Sequence, residues 1–199
     1  MIIKTITLNN FRVFRGVHEI NLAPQKDAIE KNTPIILFGG LNGSGKTSIL
    51  TAVRLALYGR SSLSTTVTND EYKEYLASLI HKGNEHAGMP DEASIELCFE
   101  YNHQGETQEY TVIRGWKKGQ IDKIQILQDE VAKEELNNEQ CQGFLNELIP
   151  VGVADLFFFD GEKIAELAED ESGTILRTAV QRLLGLDVIA RLRNDLSIL

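Results

Sequence analysis

Apolar and polar residues alternate at the start of the chain, as they do along a β-strand. In residues 2–8, Ile2, Lys4, Ile6 and Leu8 share one face, and the other face carries Ile3 and two threonines. Residues 17–22 predict a second strand that forms a hairpin with the first, and residues 11–14 connect the two. The chain therefore opens with an antiparallel pair.

The apolar run 35–38 predicts a third strand, which leads directly into a glycine-rich segment. A helix is predicted over 46–58, with a buried face formed by Ile49, Leu50, Val53 and Leu57, and Gly59 is placed to end it. Helical spacing of apolar residues predicts a second, shorter helix over 70–80.

Three short strands are predicted farther along the chain, at 94–101, 108–115 and 121–128. Glycines in the intervening turns indicate an antiparallel meander, which we expect to be separate from the sheet that contains 35–38. An acidic amphipathic helix is predicted over 130–148.

The C-terminal part of the chain begins with an apolar strand at 156–160, and a helical pattern follows from residue 163 to the end. Heptad spacing joins Ile189, Leu192, Leu196 and Leu199. This spacing fits either the start of a coiled coil or a terminal helix that packs on its own domain.

Composition limits the possible classes. A chain of 199 residues with 42% hydrophobic side chains can form one domain, or one domain with an appendage. The net charge of −9 gives no support for a broad nucleic-acid surface. Cys98 and Cys141 lack metal-ligand spacing, and the four histidines are predicted to be incidental. With no signal peptide or membrane-spanning run, we predict a soluble cytoplasmic protein.

The segment 40–48 reads GLNGSGKTS and matches the P-loop pattern G-x-x-x-x-G-K-[ST]. Glycines at 40, 43 and 45 allow tight turns, so that backbone amides and a helix N-terminus can hold a phosphate. Lys46 can reach the β- and γ-phosphates, and the Thr47 hydroxyl can bind Mg²⁺. The motif predicts Mg·ATP binding by the loop, including Ser44 and Ser48; the alternative is a glycine-rich turn that binds nothing.

Two longer segments, ITLNNFRVFRG at 6–16 and ILFGGLNGSGKTSILTAVRLALYG at 36–59, resemble the N-terminal lobe of SMC-like, DNA-repair-class ABC ATPases. The block LFFFDGEKIAEL at 156–167 is similar to the DndD family, the ATPase subunits of bacterial DNA sulfur modification (phosphorothioation) systems. The resemblance covers nearly the whole chain, but no LSGGQ-type signature is present in it.

This resemblance implies an α/β fold, with a mixed sheet around the P-loop, the antiparallel meander at one side and a protruding C-terminal helix. In such ATPases the head is split: a coiled coil separates the N-terminal lobe from a C-terminal lobe with the remaining catalytic motifs. We therefore expect residues 1–185 to form the N-terminal lobe and 186–199 to begin the coiled coil. The implied partners are the protein's own C-terminal lobe, a second head, DNA-modification subunits and, through the full protein, DNA.

By the same resemblance, Arg12 approaches the nucleotide phosphates and Asn42 contributes from the loop tip. Asp160 occupies the Q-loop position, where it would serve Mg²⁺ and the attacking water. Glu162 is separated from Asp160 by a glycine, which argues against a Walker B reading. The alternatives are that Asp160 caps the next helix and that Arg12 is a solvated hairpin residue.

Trp116 with the nearby Lys117, Lys118 and Lys123 could meet a DNA backbone or stack on a base, although a solvated hairpin is the favoured interpretation. Three functions stay open. The chain is half of an ATPase site, an ATP-gated structural clamp for DNA or proteins, or a small P-loop kinase.

Overall fold

A computed structural model describes residues 1–24, 35–63, 67–83, 88–103, 105–132, 136–151 and 158. The chain divides into two compact units, Met1–Phe144 and Leu145–Leu199. The strand predicted at 156–160, the helix from 163 and the heptads of 189–199 lie outside the described residues. The domain limits of 1–185 and 186–199 accordingly stay predictions.

The first unit contains one six-stranded antiparallel sheet with the strand order β2-β1-β3-β4-β5-β6. The strands are β1 (Ile2–Phe11), β2 (Phe14–Asn21), β3 (Glu92–His103), β4 (Glu106–Lys117), β5 (Lys123–Gln128) and β6 (Val131–Ala132). The helices in the described residues are α1 (Lys46–Tyr58), α2 (Asn69–Leu79) and α3 (Asn138–Leu148), with a short 3₁₀ turn at Gly59–Ser62.

The meander of β3, β4 and β5 is part of the same sheet as the first hairpin, and residues 35–38 do not belong to this sheet. β3 pairs with β1 along its length, from Ile2 opposite Glu100 to Asn9 opposite Ser94. Both strands carry apolar side chains at alternate positions, and pairing places Ile6, Leu8, Ile95 and Leu97 on one buried face.

The prediction of a strand at 35–38 is wrong, because these residues form no strand in the structure. Ile35 and Leu37 are 83% and 89% exposed. Every strand pairing in the described sheet is antiparallel, so the prediction of a mixed sheet is wrong for this part of the chain. The apolar run before the P-loop therefore has no sheet partner among the described residues.

Helices cover the apolar face of the sheet. α1 contacts β1, β3 and β4 and agrees with the predicted 46–58. The second helix begins with a capping box, in which Thr68 and Glu71 satisfy each other's backbone amides. Residues 130–148 are only partly helical, since Asp129 and Glu130 both have positive φ values, of 48° and 64°. These two residues turn the chain back onto β5, where β6 pairs with it.

Trp116 lies in the core, so it cannot stack on a nucleic-acid base. Its side chain is 4% exposed, and its Nε1–H donates to the carbonyl of Leu76 in α2 at 2.8 Å. The ring also meets Phe11 edge to face, with 6.1 Å between centroids. The neighbouring Lys117 and Lys118 are exposed, as expected of a solvated turn.

A buried ion pair fixes the C-terminal end of α1. Arg114, 3% exposed, donates from Nη1 to the carboxylate of Asp122, which is 5% exposed. The guanidinium also donates to the carbonyl of Ala56 and, at 2.8 Å, to Oε1 of Gln142. Gln142 completes the cluster by donating to the carbonyl of Leu57 at 3.0 Å. Two side chains thus satisfy carbonyls that the helix end leaves without intrahelical partners.

Removing one member of this pair should destabilise the fold strongly. Asp122→Ala leaves the Arg114 charge buried and uncompensated, and we expect the free energy of unfolding to fall by about 3–5 kcal/mol. Urea unfolding measures this loss. The matched control is Glu92→Ala, which breaks the exposed Lys117–Glu92 pair of 3.3 Å and should cost less than about 1 kcal/mol. Equal losses in the two variants would contradict a structural role for the buried pair.

Candidate functional site

The glycine-rich loop 40–45 adopts a shape that glycine permits. Gly43 and Gly45 have positive φ values of 82° and 103°. A Cβ on Gly40 would lie 2.4 Å from the Ser44 hydroxyl oxygen, so the loop closes tightly on itself. The Ser44 amide donates across this turn to the carbonyl of Leu41 at 3.2 Å.

The loop leads directly into the N-terminus of α1, which no side chain caps. Gly45 is the N-cap residue, and no side chain forms a capping hydrogen bond there. The first-turn amides of a helix lack intrahelical partners and carry the positive end of the helix dipole. The first turn contains no acidic residue that would compete for these amides. An anion is the partner that this end of the helix can accept.

Lys46 lies across the loop that precedes it. Its Nζ donates to the carbonyls of Gly40 and Leu41 at 2.6 and 2.9 Å. An ammonium group has three donors, so one N–H stays available beside the loop amides. This position places a positive charge next to the helix N-terminus.

The remaining loop residues differ in exposure. Asn42, Ser44 and Thr47 are exposed, whereas Ser48 is 6% exposed. Thr47 is thus exposed on the first turn, and a threonine hydroxyl is an oxygen ligand of the kind that Mg²⁺ binds. The described residues contain no group of three or more His, Cys, Asp or Glu side chains that could hold a metal. Asp160, the other predicted ligand, lies outside them.

Arg12 occupies the tip of the β1–β2 hairpin and reaches α1. Its Nη1 donates to the Thr51 hydroxyl at 3.3 Å, and Thr51 in turn donates to the carbonyl of Thr47 at 2.8 Å. The structure therefore joins Arg12 to the P-loop helix through one hydroxyl. Sequence reasoning missed Thr51, although its position one turn after Thr47 was the available signal.

The same hairpin tip packs directly on the loop. A Cβ on Gly45 would lie 2.9 Å from Val13 Cγ2 and 2.8 Å from Phe14 Cζ. Gly45 is therefore needed for close approach as well as for its backbone conformation. Sequence reasoning treated Val13 and Phe14 as part of a connector and missed this contact.

His81 is more than the incidental histidine that the sequence predicted. Its backbone amide donates to the carbonyl of Asn10 at 2.7 Å, and its ring Nδ1 lies 2.7 Å from the carbonyl oxygen of Arg12. The Arg12 amide donates to the carbonyl of Leu79, also at 2.7 Å. The end of α2 and the residues after it thus hold the backbone on both sides of Arg12.

Two arginines make the surroundings of Tyr75 positive. Burial raises the pKa of the Tyr75 phenol, while the nearby guanidinium groups of Arg12 and Arg54 act in the opposite direction. The positive charge near the P-loop helix suits an anionic ligand.

Burial also raises the pKa values of the free thiols Cys98 and Cys141, which keeps them protonated.

Comparison with known proteins identifies a family. A family model described as an AAA domain matches residues 5–193. No curated protein matches the chain. Among solved structures, the SMC head domain from Thermotoga maritima is similar with 22% identity and a TM-score of 0.40; the match covers 66% of this chain and 38% of that one. Within the described part of the chain, no helix is long and apolar enough to cross a bilayer.

Two glycine substitutions separate backbone strain from the hairpin contact. Gly43→Ala places alanine at a positive φ with no atom near its Cβ, so we expect a loss of about 1–2 kcal/mol. Gly45→Ala adds overlap with Val13 and Phe14, so it should cost at least about 1 kcal/mol more. Urea unfolding compares the two. Equal losses of unfolding free energy in the two variants would show that Val13 and Phe14 move away from the added methyl group at no free-energy cost.

Proposed function

The chain belongs to the AAA-domain family, and from that premise we propose that it binds Mg·ATP at 40–48 as the N-terminal lobe of an SMC-like ATPase head. The observation that carries the proposal is the glycine loop with positive φ at Gly43 and Gly45, which leads into an uncapped helix beside the Lys46 ammonium. Backbone amides, a helix dipole and a fixed cation together form a phosphate site.

Each candidate residue has a role in this proposal. The amides of the loop and of the first helical turn hold the β-phosphate, with Ser44 and Ser48 among the residues that line it, and Lys46 reaches toward the γ-phosphate. Arg12 adds a guanidinium from the hairpin side, and Asn42 contributes from the exposed loop tip. Thr47 and Asp160 would hold Mg²⁺, which supplies charge neutralisation at the phosphates when bound.

The exposed apolar run supports a half-site rather than a complete ATPase. Ile35 and Leu37 are more than four-fifths exposed, although a strand that precedes a P-loop is normally buried in a parallel sheet. We propose that the protein's own C-terminal lobe covers these residues and that a second head completes hydrolysis. A small P-loop kinase would not need such a cover.

The biological role that we propose is DNA sulfur modification (phosphorothioation) in the cytoplasm, together with other subunits of a modification complex. It rests on the resemblance of residues 156–167 to the DndD family. The alternative is an ATP-gated structural clamp, or an ATPase of the double-strand-break-repair type with slow turnover. Any contact with DNA is expected through the full protein, since this chain is acidic.

Lys46→Ala should lower the affinity for ATP at least about tenfold, because a hydrogen-bonded charge beside the phosphates is lost. Isothermal titration calorimetry with Mg·ATP measures the change. Lys118→Ala removes the same charge from an exposed turn, and we expect it to bind ATP like the unchanged protein. If both variants retain full affinity, the P-loop is not the nucleotide site.

The half-site proposal also predicts a separation between binding and turnover. The 199-residue chain should bind Mg·ATP but release phosphate no faster than its Lys46→Ala variant, because the groups that complete hydrolysis lie in the C-terminal lobe and the second head. A coupled phosphate-release assay tests this. Robust turnover by the chain alone would favour the kinase-like or self-contained ATPase interpretation.

A further inference from the structure

The backbone of Arg12 is held in an unfavourable conformation. Its φ of 50° is in the left-handed region, which costs an L-residue with a Cβ about 1–2 kcal/mol. Such a conformation persists only when surrounding contacts impose it. The hydrogen bonds on either side of the residue identify those contacts.

Three of these hydrogen bonds come from one short segment, Leu79–His81. The Arg12 amide donates to Leu79, the His81 amide donates to Asn10, and the imidazole meets the Arg12 carbonyl; each distance is 2.7 Å. An isolated bridge between Phe11 and Ile80 joins the same two stretches of chain. Since a carbonyl oxygen only accepts, the His81 ring must carry its proton on Nδ1 for this bond.

The imidazole is the one member of this set that depends on side-chain identity. The backbone bonds need only a carbonyl at 79 and an amide at 81, which every residue except proline supplies at 81. The Nδ1–H bond holds the carbonyl of Arg12 and so restrains the peptide plane that follows this residue, the residue whose guanidinium reaches α1. That guanidinium is the group that contacts Thr51 and, through it, Thr47.

We propose that His81 is a positioning residue for nucleotide binding, which holds Arg12 in its left-handed conformation so that the guanidinium faces the phosphates. The proposal rests on the proposed ATP site at 40–48. It connects the end of α2 to the nucleotide, although no atom of His81 needs to touch the ligand. Loss of the imidazole should therefore act only while Arg12 is present.

A double-mutant cycle tests this dependence in the protein, with Mg·ATP affinity measured by calorimetry. Arg12→Gly removes the guanidinium and accepts the positive φ without strain, so it should weaken binding about tenfold. His81→Ala should weaken binding by a smaller factor, about threefold to tenfold. The double variant should bind no more weakly than Arg12→Gly alone.

Two further variants serve as rescue and control. His81→Asn keeps a side-chain N–H donor near the position of Nδ1 and should restore most of the affinity. Ser78→Ala is the matched control, because Ser78 also donates to a carbonyl, that of Tyr75 at 2.7 Å, but does not touch Arg12. It should bind ATP like the unchanged protein.

The outcomes are distinct. Additive losses in the double variant, or full affinity in His81→Ala, would overturn the positioning role. If Arg12→Gly binds normally while Lys46→Ala does not, the proposal fails and the ATP site stands; if Lys46→Ala binds normally, the ATP site itself fails. Should His81→Ala prove unfolded by circular dichroism, His81→Asn decides, since weak binding by this folded variant would refute the proposal.

Discussion

The anchoring of α1 at its C-terminal end is the constraint on which the candidate site depends. Arg114 and Gln142 bind the last carbonyls of this helix, and Asp122 neutralises the guanidinium within the core. Gly59 is required beside them, because a Cβ there would lie 2.7 Å from Arg114 Nη1. A side chain at this position would push the guanidinium away from the helix end.

The two ends of α1 are electrostatically matched. A buried cation meets the C-terminal end, where the helix dipole is negative, and the N-terminal end is left open toward the glycine loop. Because the C-terminal end is fixed to β4 and α3, we propose that the first turn is preorganised for the phosphate of the proposed ATP site. Such preorganisation lowers the cost of binding.

The loop is supported from a second direction by the β1–β2 hairpin. Val13 and Phe14 pack against Gly45, and Arg12 reaches the hydroxyl of Thr51. The hairpin tip is itself held by the segment that follows α2. The N-terminus of α2 is fixed by the capping box of Thr68 and Glu71. Within this capping box, the Glu71 carboxylate accepts a hydrogen bond from the Thr68 amide, and this bond lowers the pKa of the exposed carboxyl. The capping contribution is therefore present at neutral pH and is lost as the pH falls through that lowered pKa.

The sequence alone determined the elements whose signals are local. Alternation in 2–8 and the glycine-flanked strands located β1 and β3–β5, and periodicity with Gly59 located α1, because these patterns reflect which side chains a strand or helix can bury. The GLNGSGKTS motif likewise predicted the loop at which we propose phosphate binding. Tertiary structure decided what depends on distant partners: β3 pairs with β1, and Asp129 and Glu130 turn the chain into β6 where a helix was predicted. It also decided that Phe14 packs on Gly45 of the loop and that His81 and Thr51 meet Arg12, since contacts such as that of His81 with Arg12 join residues far apart in the chain and leave no periodic trace in the sequence.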